Sequence, residues 1–180
     1  MKKEIFQSIE IPKEIEAEID VNTFKVTGPL GENKRSFNTN NLIFEKKDSK
    51  IIIGCKKATK SEKKMINTIM SHVKNMIKGV QEKFEYKLKI CFSHFPITVK
   101  VSGKEALIKN FLGERAERKS KIPEGVDVKV DKDIINVTSI DKELAGQTAA
   151  NFEMATRIRK RDRRIFQDGI FITNKSGKKM

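Results

Sequence analysis

The sequence predicts an α+β fold of two tandem, similar domains, each a small, mainly antiparallel β-sheet packed against one α-helix. Three features support this prediction, because a β-rich run ending in glycine, a hairpin pattern and an amphipathic helix occur in this order twice within 180 residues. Internal self-similarity of this kind indicates a repeated structural unit. We place the two domains at residues 1–80 and 81–180, with their junction near residues 79–84.

The strands of each copy are recognised by apolar residues that alternate with polar ones. The first run, residues 23–28, is matched with residues 97–103, which also end in a hydroxyl residue and a glycine. A hairpin follows in each copy, because period-two alternation on both sides of a polar turn is typical of paired antiparallel strands. The flanking residues are Leu42, Phe44, Ile51 and Ile53 around residues 46–50, and Val126, Val128, Val130, Ile134, Ile135 and Val137 around residues 131–133.

The first helix carries both a start signal and a stop signal. Thr59 and Glu62 have the spacing of a capping box, in which each side chain accepts a hydrogen bond from a backbone N–H at the helix start. Gly79 is expected to end the helix. Methionines at positions 65, 70 and 76 lie at helical spacing and indicate packing against the sheet. The alternative reading of the methionines is a promiscuous binding groove.

The second helix is predicted to begin near Asp141 and to continue to Ile158. Its small residues suggest a close approach to the sheet, while Gly146 lowers its intrinsic stability. The cationic run from Arg157 is therefore read as the end of this helix. Asp168 and Gly169 are predicted to form a tight turn that leads into a closing strand.

The two copies differ in one place. Gly28 and Gly103 are 75 residues apart, whereas Asp48 and Asp131 are 83 residues apart, so the second copy holds about eight extra residues. We call residues 104–121 the inserted segment; it contains six basic and three acidic residues. Because long loops in compact domains are often functional, it is predicted to be a binding loop.

Positive charge is concentrated at the C-terminal end of the chain. Of the net charge of +14, residues 1–90 carry +7, residues 91–154 carry none, and residues 155–180 carry the other +7. Six of the eight residues from Arg157 to Arg164 are cationic. Such clustering indicates a polyanionic partner, most often nucleic acid. The alternative, cations that stabilise a helix C-terminus, accounts for a few of them but not for six.

The residues do not indicate an enzyme, a cofactor or a metal site. Cys55 and Cys91 are far apart in the chain, and His72 and His94 lack the spacing of a zinc cluster. No Gly-x-x-x-x-Gly-Lys-Ser/Thr phosphate loop occurs. No apolar run approaches the ~18 residues of a membrane span, and the N-terminus lacks a signal-peptide core. We therefore expect a soluble, cytosolic protein with no membrane partner.

Contact with an RNA backbone fits the remaining features. Lysine and arginine neutralise phosphates, and arginine can bind one in two-pronged geometry. Double-stranded RNA is recognised mainly by its shape and sugar–phosphate outline. The predicted RNA-binding residues are Lys104, Lys109, Arg115, Arg118, Lys119 and Lys121 in the inserted segment, and Arg157, Arg159, Lys160, Arg161, Arg163 and Arg164 in the C-terminal run.

Three motifs resemble the ribosomal protein L6 family in its archaeal and eukaryotic form. The most specific motif is at the C-terminus, where Arg161, Arg164, Phe166, residues 168–172 and Lys175 match the family's signature. Asn-Phe-Leu-Gly-Glu at residues 110–114 and Gly-Gln-Thr-Ala-Ala-Asn at residues 146–151 are similar to segments of archaeal members. The resemblance covers essentially the whole chain, including the repeat.

The resemblance implies a non-catalytic, structural component of the large ribosomal subunit. Such a protein binds large-subunit rRNA, mainly through its second domain, near the sarcin–ricin loop and the base of the factor-binding stalk. Its partners would also include neighbouring large-subunit proteins, with translational GTPases close by. It would be a monomer, present once per ribosome in the cytoplasm. The alternative is a free-standing RNA-binding regulatory protein that never joins a ribosome.

Overall fold

The computed structural model describes residues 3–12, 14–20, 22–39, 42–47, 49–162 and 164–180, with Lys3 described by its backbone alone. The chain divides into two compact units, Met1–Lys83 and Phe84–Met180. Each unit contains antiparallel sheets and one α-helix, so the predicted α+β class is confirmed. Among the described residues, neither helix is long and apolar enough to cross a membrane. Cys55 and Cys91 are both free and partly buried.

Unit 1 packs two three-stranded antiparallel sheets against its helix. Its elements are β1 (Lys3–Glu10), β2 (Glu16–Asp20), β3 (Thr23–Gly28), β4 (Gly31–Ser36), β5 (Ile43–Lys47), β6 (Lys50–Ala58) and α1 (Lys60–Gln81). The strand orders are β1-β6-β5 and β2-β3-β4. Alternate residues of a strand face the core, and Phe24, Val26, Ile51 and Ile53 are fully buried. The predicted hairpin is confirmed by the pairing of β5 with β6; its Asp48 lies outside the described residues.

Unit 2 repeats this order and then extends it. Its elements are β7 (Phe84–Cys91), β8 (Thr98–Ser102), β9 (Glu105–Lys109), β10 (Arg118–Lys121), β11 (Val126–Asp131), β12 (Ile134–Ser139), α2 (Lys142–Ala155), β13 (Gly169–Lys175) and β14 (Lys178–Lys179). The sheets have the orders β10-β9-β8 and β11-β12-β7-β13-β14. Strand β13 pairs with β7 on the side opposite β12. The second predicted hairpin is confirmed by the pairing of β11 with β12.

The structure corrects the alignment of the two copies. Strands β2 to β6 correspond in order and pairing to β8 to β12, so β8 matches β2 and not β3. Gly103 lies in the turn between β8 and β9, whereas Gly28 ends β3 before β4. Both glycines end β-rich runs, and local sequence does not distinguish the two hairpins because strand pairing is decided by packing between strands.

The prediction of a long loop in the inserted segment is wrong in extent. Residues 105–109 and 118–121 form β9 and β10, which pair with each other. Ala106 and Ile108 are fully buried there, so this part of the segment belongs to the core. The β9–β10 connection, residues 110–117, is six residues longer than the β3–β4 connection, residues 29–30. The predicted excess of about eight residues is wrong, because it is counted from the unmatched Gly28 and Gly103. From the start of β2 to the start of β5 is 27 positions (16 to 43), and from the start of β8 to the start of β11 is 28 (98 to 126).

Helix α1 begins as predicted. The hydroxyl oxygen of Thr59 accepts a hydrogen bond from the Ser61 N–H at 3.3 Å, and Glu62 Oε2 accepts one from the Thr59 N–H at 2.8 Å. These contacts belong to the predicted capping box. Met70 and Met76 are buried, which confirms that these two methionines pack in the core, whereas the prediction is wrong for Met65, which is 36% exposed.

The predicted end of α1 is wrong, because Gly79 lies inside the helix and Gln81 is its last residue. Val80 is fully buried. The Val80 carbonyl accepts a hydrogen bond from the Leu30 N–H at 3.2 Å. The Val80 side chain also packs closely on Gly28, since a Cβ added to Gly28 would lie only 2.8 Å from the Val80 Cγ2. Packing against the β3–β4 turn therefore extends the helix past a glycine that would otherwise favour a stop.

Helix α2 has Asp141 as its N-cap, as predicted, but it ends at Ala155 rather than at Ile158. The backbone N–H of Thr156 still donates to the Phe152 carbonyl at 3.3 Å. The buried Thr156 hydroxyl accepts a hydrogen bond from the Ile170 N–H at 2.9 Å. This contact with β13 draws the chain away from the helix axis, so the cationic run is not the end of α2.

Candidate nucleic-acid interface

The cationic residues 157–164, here called the basic segment, lie in the connection between α2 and β13. Thr156 anchors the start of this connection, and Ile158 is buried with 9% exposure. The cations that the structure describes are all exposed; they are Arg157, Arg159, Lys160, Arg161 and Arg164. Arg163, which the sequence also predicts to bind RNA, lies outside the described residues. The basic segment is therefore a run of exposed cations with a buried anchor.

A buried carboxylate anchors the other end of the connection. Asp168 is 4% exposed, and its Oδ1 accepts hydrogen bonds from the Ser93 N–H at 3.1 Å and the Ser93 hydroxyl at 3.0 Å. Burying a carboxylate is unfavourable unless it is hydrogen bonded, so Ser93 determines where the chain re-enters the sheet. Gly169 is the first residue of β13 and pairs with Cys91. Asp168 and Gly169 are thus an anchor and a strand start, not the predicted tight turn.

A short turn arranges the end of the basic segment. The backbone N–H groups of Ile165 and Phe166 both donate to the Asp162 carbonyl, at 3.2 and 3.0 Å. The Arg164 guanidinium reaches the Asp162 carboxylate, with Nη2 at 2.8 Å from Oδ2. These side-chain hydrogen bonds lower the pKa of Asp162 and raise the pKa of Arg164. Water screens such an exposed pair strongly, so a phosphate can replace Asp162 as the partner of Arg164.

Arg161 rests on an aromatic ring of the same connection. Its guanidinium carbon lies 4.9 Å from the centre of the Phe166 ring, a cation–π distance. The pKa of Glu114 is lowered first by hydrogen bonds from Arg118, and the charge of Arg161 contributes as well. Arg161 therefore lies on the side of the basic segment that is near the β9–β10 connection.

Arg118 joins that connection to the end of α2. Its Nε and Nη2 donate to the two carboxylate oxygens of Glu114 at 2.8 and 2.6 Å, and its Nη1 donates to the Ala155 carbonyl at 2.8 Å. The guanidinium carbon is also 4.3 Å from the centre of the Phe111 ring. Because these donors are engaged within the protein, Arg118 acts as a positioning residue in this structure rather than as an open phosphate ligand.

The other predicted cations of the inserted segment divide into two groups. Three of them form ion pairs, which join Lys104 to Glu124, Lys109 to Glu117 and Lys119 to Glu105. Arg115 and Lys121 form no ion pair with any residue that the structure describes. In the described part of the basic segment, only Arg164 has a carboxylate partner. The uncompensated charge therefore lies mainly in the basic segment.

Several residues that shape this site have little or no signal in the sequence. Thr156 forms a hydrogen bond with Ile170, 14 positions away, and Ser93 forms one with Asp168, 75 positions away. Neither a threonine after a helix nor a serine after a strand indicates such a role. Glu114 stands four residues before Arg118, but that spacing is informative only on an α-helix, and the only helical turn described in this connection is the 3-10 turn Phe111–Gly113 that ends before Glu114.

Known proteins resemble the chain over nearly its whole length. The model of the family described as Ribosomal protein L6 matches it twice, over residues 11–83 and 95–169. The chain is 48% identical over 174 residues to the large ribosomal subunit protein uL6 of Staphylothermus marinus, which covers 93% of each chain. It is 43% identical over 175 residues to the large ribosomal subunit protein uL6 of Methanothrix thermoacetophila, covering 97% of this chain and 99% of the relative.

The fold and the site define a duplicated α+β protein with one exposed cationic segment on its second copy. The family match also occurs twice, once in each unit. The chain belongs to the Ribosomal protein L6 family, which confirms the resemblance found in the sequence. This family is structural, so the chain is not an enzyme.

Proposed function

We propose that the chain is a structural component of the large ribosomal subunit, and that unit 2 binds large-subunit rRNA through the basic segment. Family membership and the names of the two archaeal relatives support the ribosomal role. The protein then acts in cytoplasmic ribosomes, where its neighbours are rRNA and other large-subunit proteins.

The basic segment is the observation that carries the RNA-binding assignment. Anchors at Thr156 and Asp168 hold its connection at both ends, while its described cations remain exposed. Anchored cations lose less conformational entropy on binding than cations on a free tail. Arginine forks add two-pronged contacts to phosphate. The inserted segment attracts RNA phosphates less strongly, because three of its lysines are already paired with carboxylates.

The finer location follows the family resemblance. We place the rRNA contact near the sarcin–ricin loop and the base of the factor-binding stalk, with translational GTPases close by. The protein is present there as one copy per ribosome, with unit 2 as the main rRNA-binding domain.

The first experiment removes two cations from the basic segment. We expect Arg161→Ala together with Arg164→Ala to weaken binding to an rRNA fragment that contains the sarcin–ricin loop. The slope of log affinity against log salt should fall by roughly 1.4–1.8, because each lost phosphate contact contributes about 0.7–0.9. Filter binding or fluorescence anisotropy at several salt concentrations measures both quantities.

The matched control removes the same charge from unit 1. Lys74 and Lys78 are exposed on α1, and alanine at these positions is compatible with a helix. The variant with Lys74→Ala and Lys78→Ala should keep the affinity and the salt slope of the wild type. Unchanged binding and an unchanged slope in the double arginine variant would contradict the assignment of the basic segment.

A second experiment tests the ribosomal role itself. The tagged protein should sediment with large subunits through a high-salt gradient. A protein that stays at the top of the gradient, while still binding RNA, would favour a free-standing regulatory protein instead.

A further inference from the structure

A groove of about 830 Å³ opens beside the basic segment. It lies between the end of β7, the last turn of α2 and the start of β13, and its walls include the rings of Phe92, Phe166 and Phe171. Pockets that hold small organic groups have volumes of roughly 300–1,000 Å³. The groove is therefore large enough for a flat ring system.

Large apolar side chains are exposed to water in this groove, whereas comparable side chains elsewhere in unit 2 are buried. Phe92 and Phe171 are 41% and 42% exposed, and Met154 is 64% exposed. By contrast, Phe111 and Phe152 are 1% and 0% exposed in the core of the same unit. A concave cluster of exposed apolar side chains marks a site of interaction.

The walls of the groove are held in place by close contacts. A Cβ on Gly169 would lie 3.1 Å from the Phe171 Cζ, so the ring rests against the bare glycine backbone. Asp168 also lines the groove, and Ser93 holds its carboxylate in position. A carboxylate accepts hydrogen bonds from N–H groups such as those on the edges of nucleobases.

Cations mark one side of this apolar groove. Arg157 lines it, and Arg161 stacks on Phe166, which forms part of its wall. A nucleobase fits this combination, because its ring can stack on phenylalanine while the phosphate attached to it meets arginine. An apolar side chain of a protein partner would cover the rings but would leave the arginines and the carboxylate unused.

We infer that this groove binds one unstacked nucleobase of the RNA against Phe92 and Phe171, with the adjoining phosphates on Arg157 and Arg161. The inference rests on the proposed function and specifies the form of RNA that is bound. The RNA presents a bulged, looped or terminal nucleotide at this point, and not only the outline of a continuous duplex.

The test compares two RNA hairpins that share the same stem and the same closing loop; the second has one additional, unpaired 2-aminopurine in the stem. We expect the wild type to bind the second hairpin roughly tenfold more tightly, as the stacking of one base on an aromatic ring predicts. The 2-aminopurine fluorescence should change on binding, because it responds to stacking.

The variant Phe171→Ala should lose this preference and keep its affinity for the paired hairpin. Phe171→Leu keeps an apolar side chain without a ring, so it should show the same loss with less disturbance of β13. Phe6→Ala is the matched control, since Phe6 is equally exposed, at 42%, but belongs to unit 1. This control should leave both affinities unchanged.

Equal affinities of the wild type for the two hairpins would overturn the groove inference. If Arg161→Ala with Arg164→Ala then weakens both complexes to the same extent, the proposed function stands without the groove. If the arginine variant weakens neither complex, the proposed function fails as well.

Crosslinking in assembled large subunits distinguishes RNA from protein as the occupant. With Phe171→p-benzoylphenylalanine, irradiation should produce one crosslink to an unpaired nucleotide of the rRNA. A crosslink to a neighbouring protein or to a paired stem would overturn the inference.

Discussion

The two units share one topology, but they differ at the edge of the main sheet. In unit 1, β1 pairs with β6 alone among the strands that the structure describes, so β1 is the edge of its sheet. In unit 2, the corresponding strand β7 pairs with β12 on one side and with β13 on the other. The second copy has therefore been extended rather than rebuilt. Its candidate site lies in the connection that leads to the added strand.

The two units also distribute their cations differently. Their net charges are similar, because residues 1–83 hold 17 Lys/Arg against 11 Asp/Glu (+6) and residues 84–180 hold 21 against 13 (+8). In unit 1, Lys60, Lys64, Lys74 and Lys78 are spread along the solvent side of a regular helix. In the basic segment of unit 2, six of eight residues are cationic, and the segment belongs to an anchored connection. High local density, rather than total charge, is what distinguishes the candidate interface.

The largest expected effect on stability comes from Ile170, the buried residue of β13 that pairs with Ile90 of β7. Ile170 is fully buried, and Ile170→Ala should lower the free energy of unfolding by about 2–5 kcal/mol through lost burial and a cavity. Urea unfolding measures the loss. Hydrogen exchange should show faster exchange in β7 but not in β1. Ile165→Ala is the control, because Ile165 is 75% exposed and should change stability by less than about 0.5 kcal/mol.

The next effect concerns the hydrogen bonds by which Arg118 joins the β9–β10 connection to the end of α2. Unit 1 has no equivalent connection, because its β3–β4 connection is only residues 29–30. Arg118→Ala removes charge-assisted hydrogen bonds to Glu114 and Ala155 and should lower the free energy of unfolding by about 2 kcal/mol. Arg118→Lys should not restore it, since lysine cannot form the same fork. Arg115→Ala, an exposed position on the same connection, should have little effect in thermal unfolding.

A smaller effect compares the two helix starts. Thr59 and Asp141 each accept a hydrogen bond at the first turn of their helix, so Thr59→Ala and Asp141→Ala should each cost about 1 kcal/mol. Because the caps lie in different units, the losses should add in the double variant. A strongly non-additive result in chemical denaturation would show that the two helices are energetically coupled.

The smallest effect depends on pH. The pKa of Glu114 is lowered below its ordinary value of 4.5 by Arg118, so its contribution to stability is complete above that value and is lost as pH falls through the lowered pKa. The stability difference between the wild type and Glu114→Gln should therefore shrink in acid, as unfolding at pH steps from about 6 to about 3 would show. In unit 1, the pKa of Glu32 is likewise lowered by Lys25. That pair is more exposed, so Glu32→Gln should have a weaker effect.

Local signals in the sequence predicted local structure well. The capping box at Thr59, the N-cap at Asp141 and the strand pairs of both hairpins are all present. Each of these features depends on residues only a few positions apart. The concentration of charge near the C-terminus was equally readable, because it is a property of composition.

Predictions that required distant partners were less successful. Gly79 by itself predicts the end of α1, but burial of Val80 extends the helix to Gln81. The helical pattern predicts an end of α2 at Ile158, three residues too late, because the contact of Thr156 with Ile170 has no local signal. The pattern of residues 104–121 predicts a loop, although residues 105–109 and 118–121 form the paired strands β9 and β10.

By itself, the sequence determined the repeated α+β pattern, the positions of the helix starts and hairpins, and the place where positive charge accumulates. These properties are encoded in short stretches of chain, through periodicity, capping and composition. Only the tertiary structure decided which strands are equivalent, that β13 fills the edge beside β7, and which cations face solvent and which are held by carboxylates. It alone also brought Phe92, Phe166 and Phe171 to one groove, because burial and hydrogen bonds join residues that are far apart in the chain.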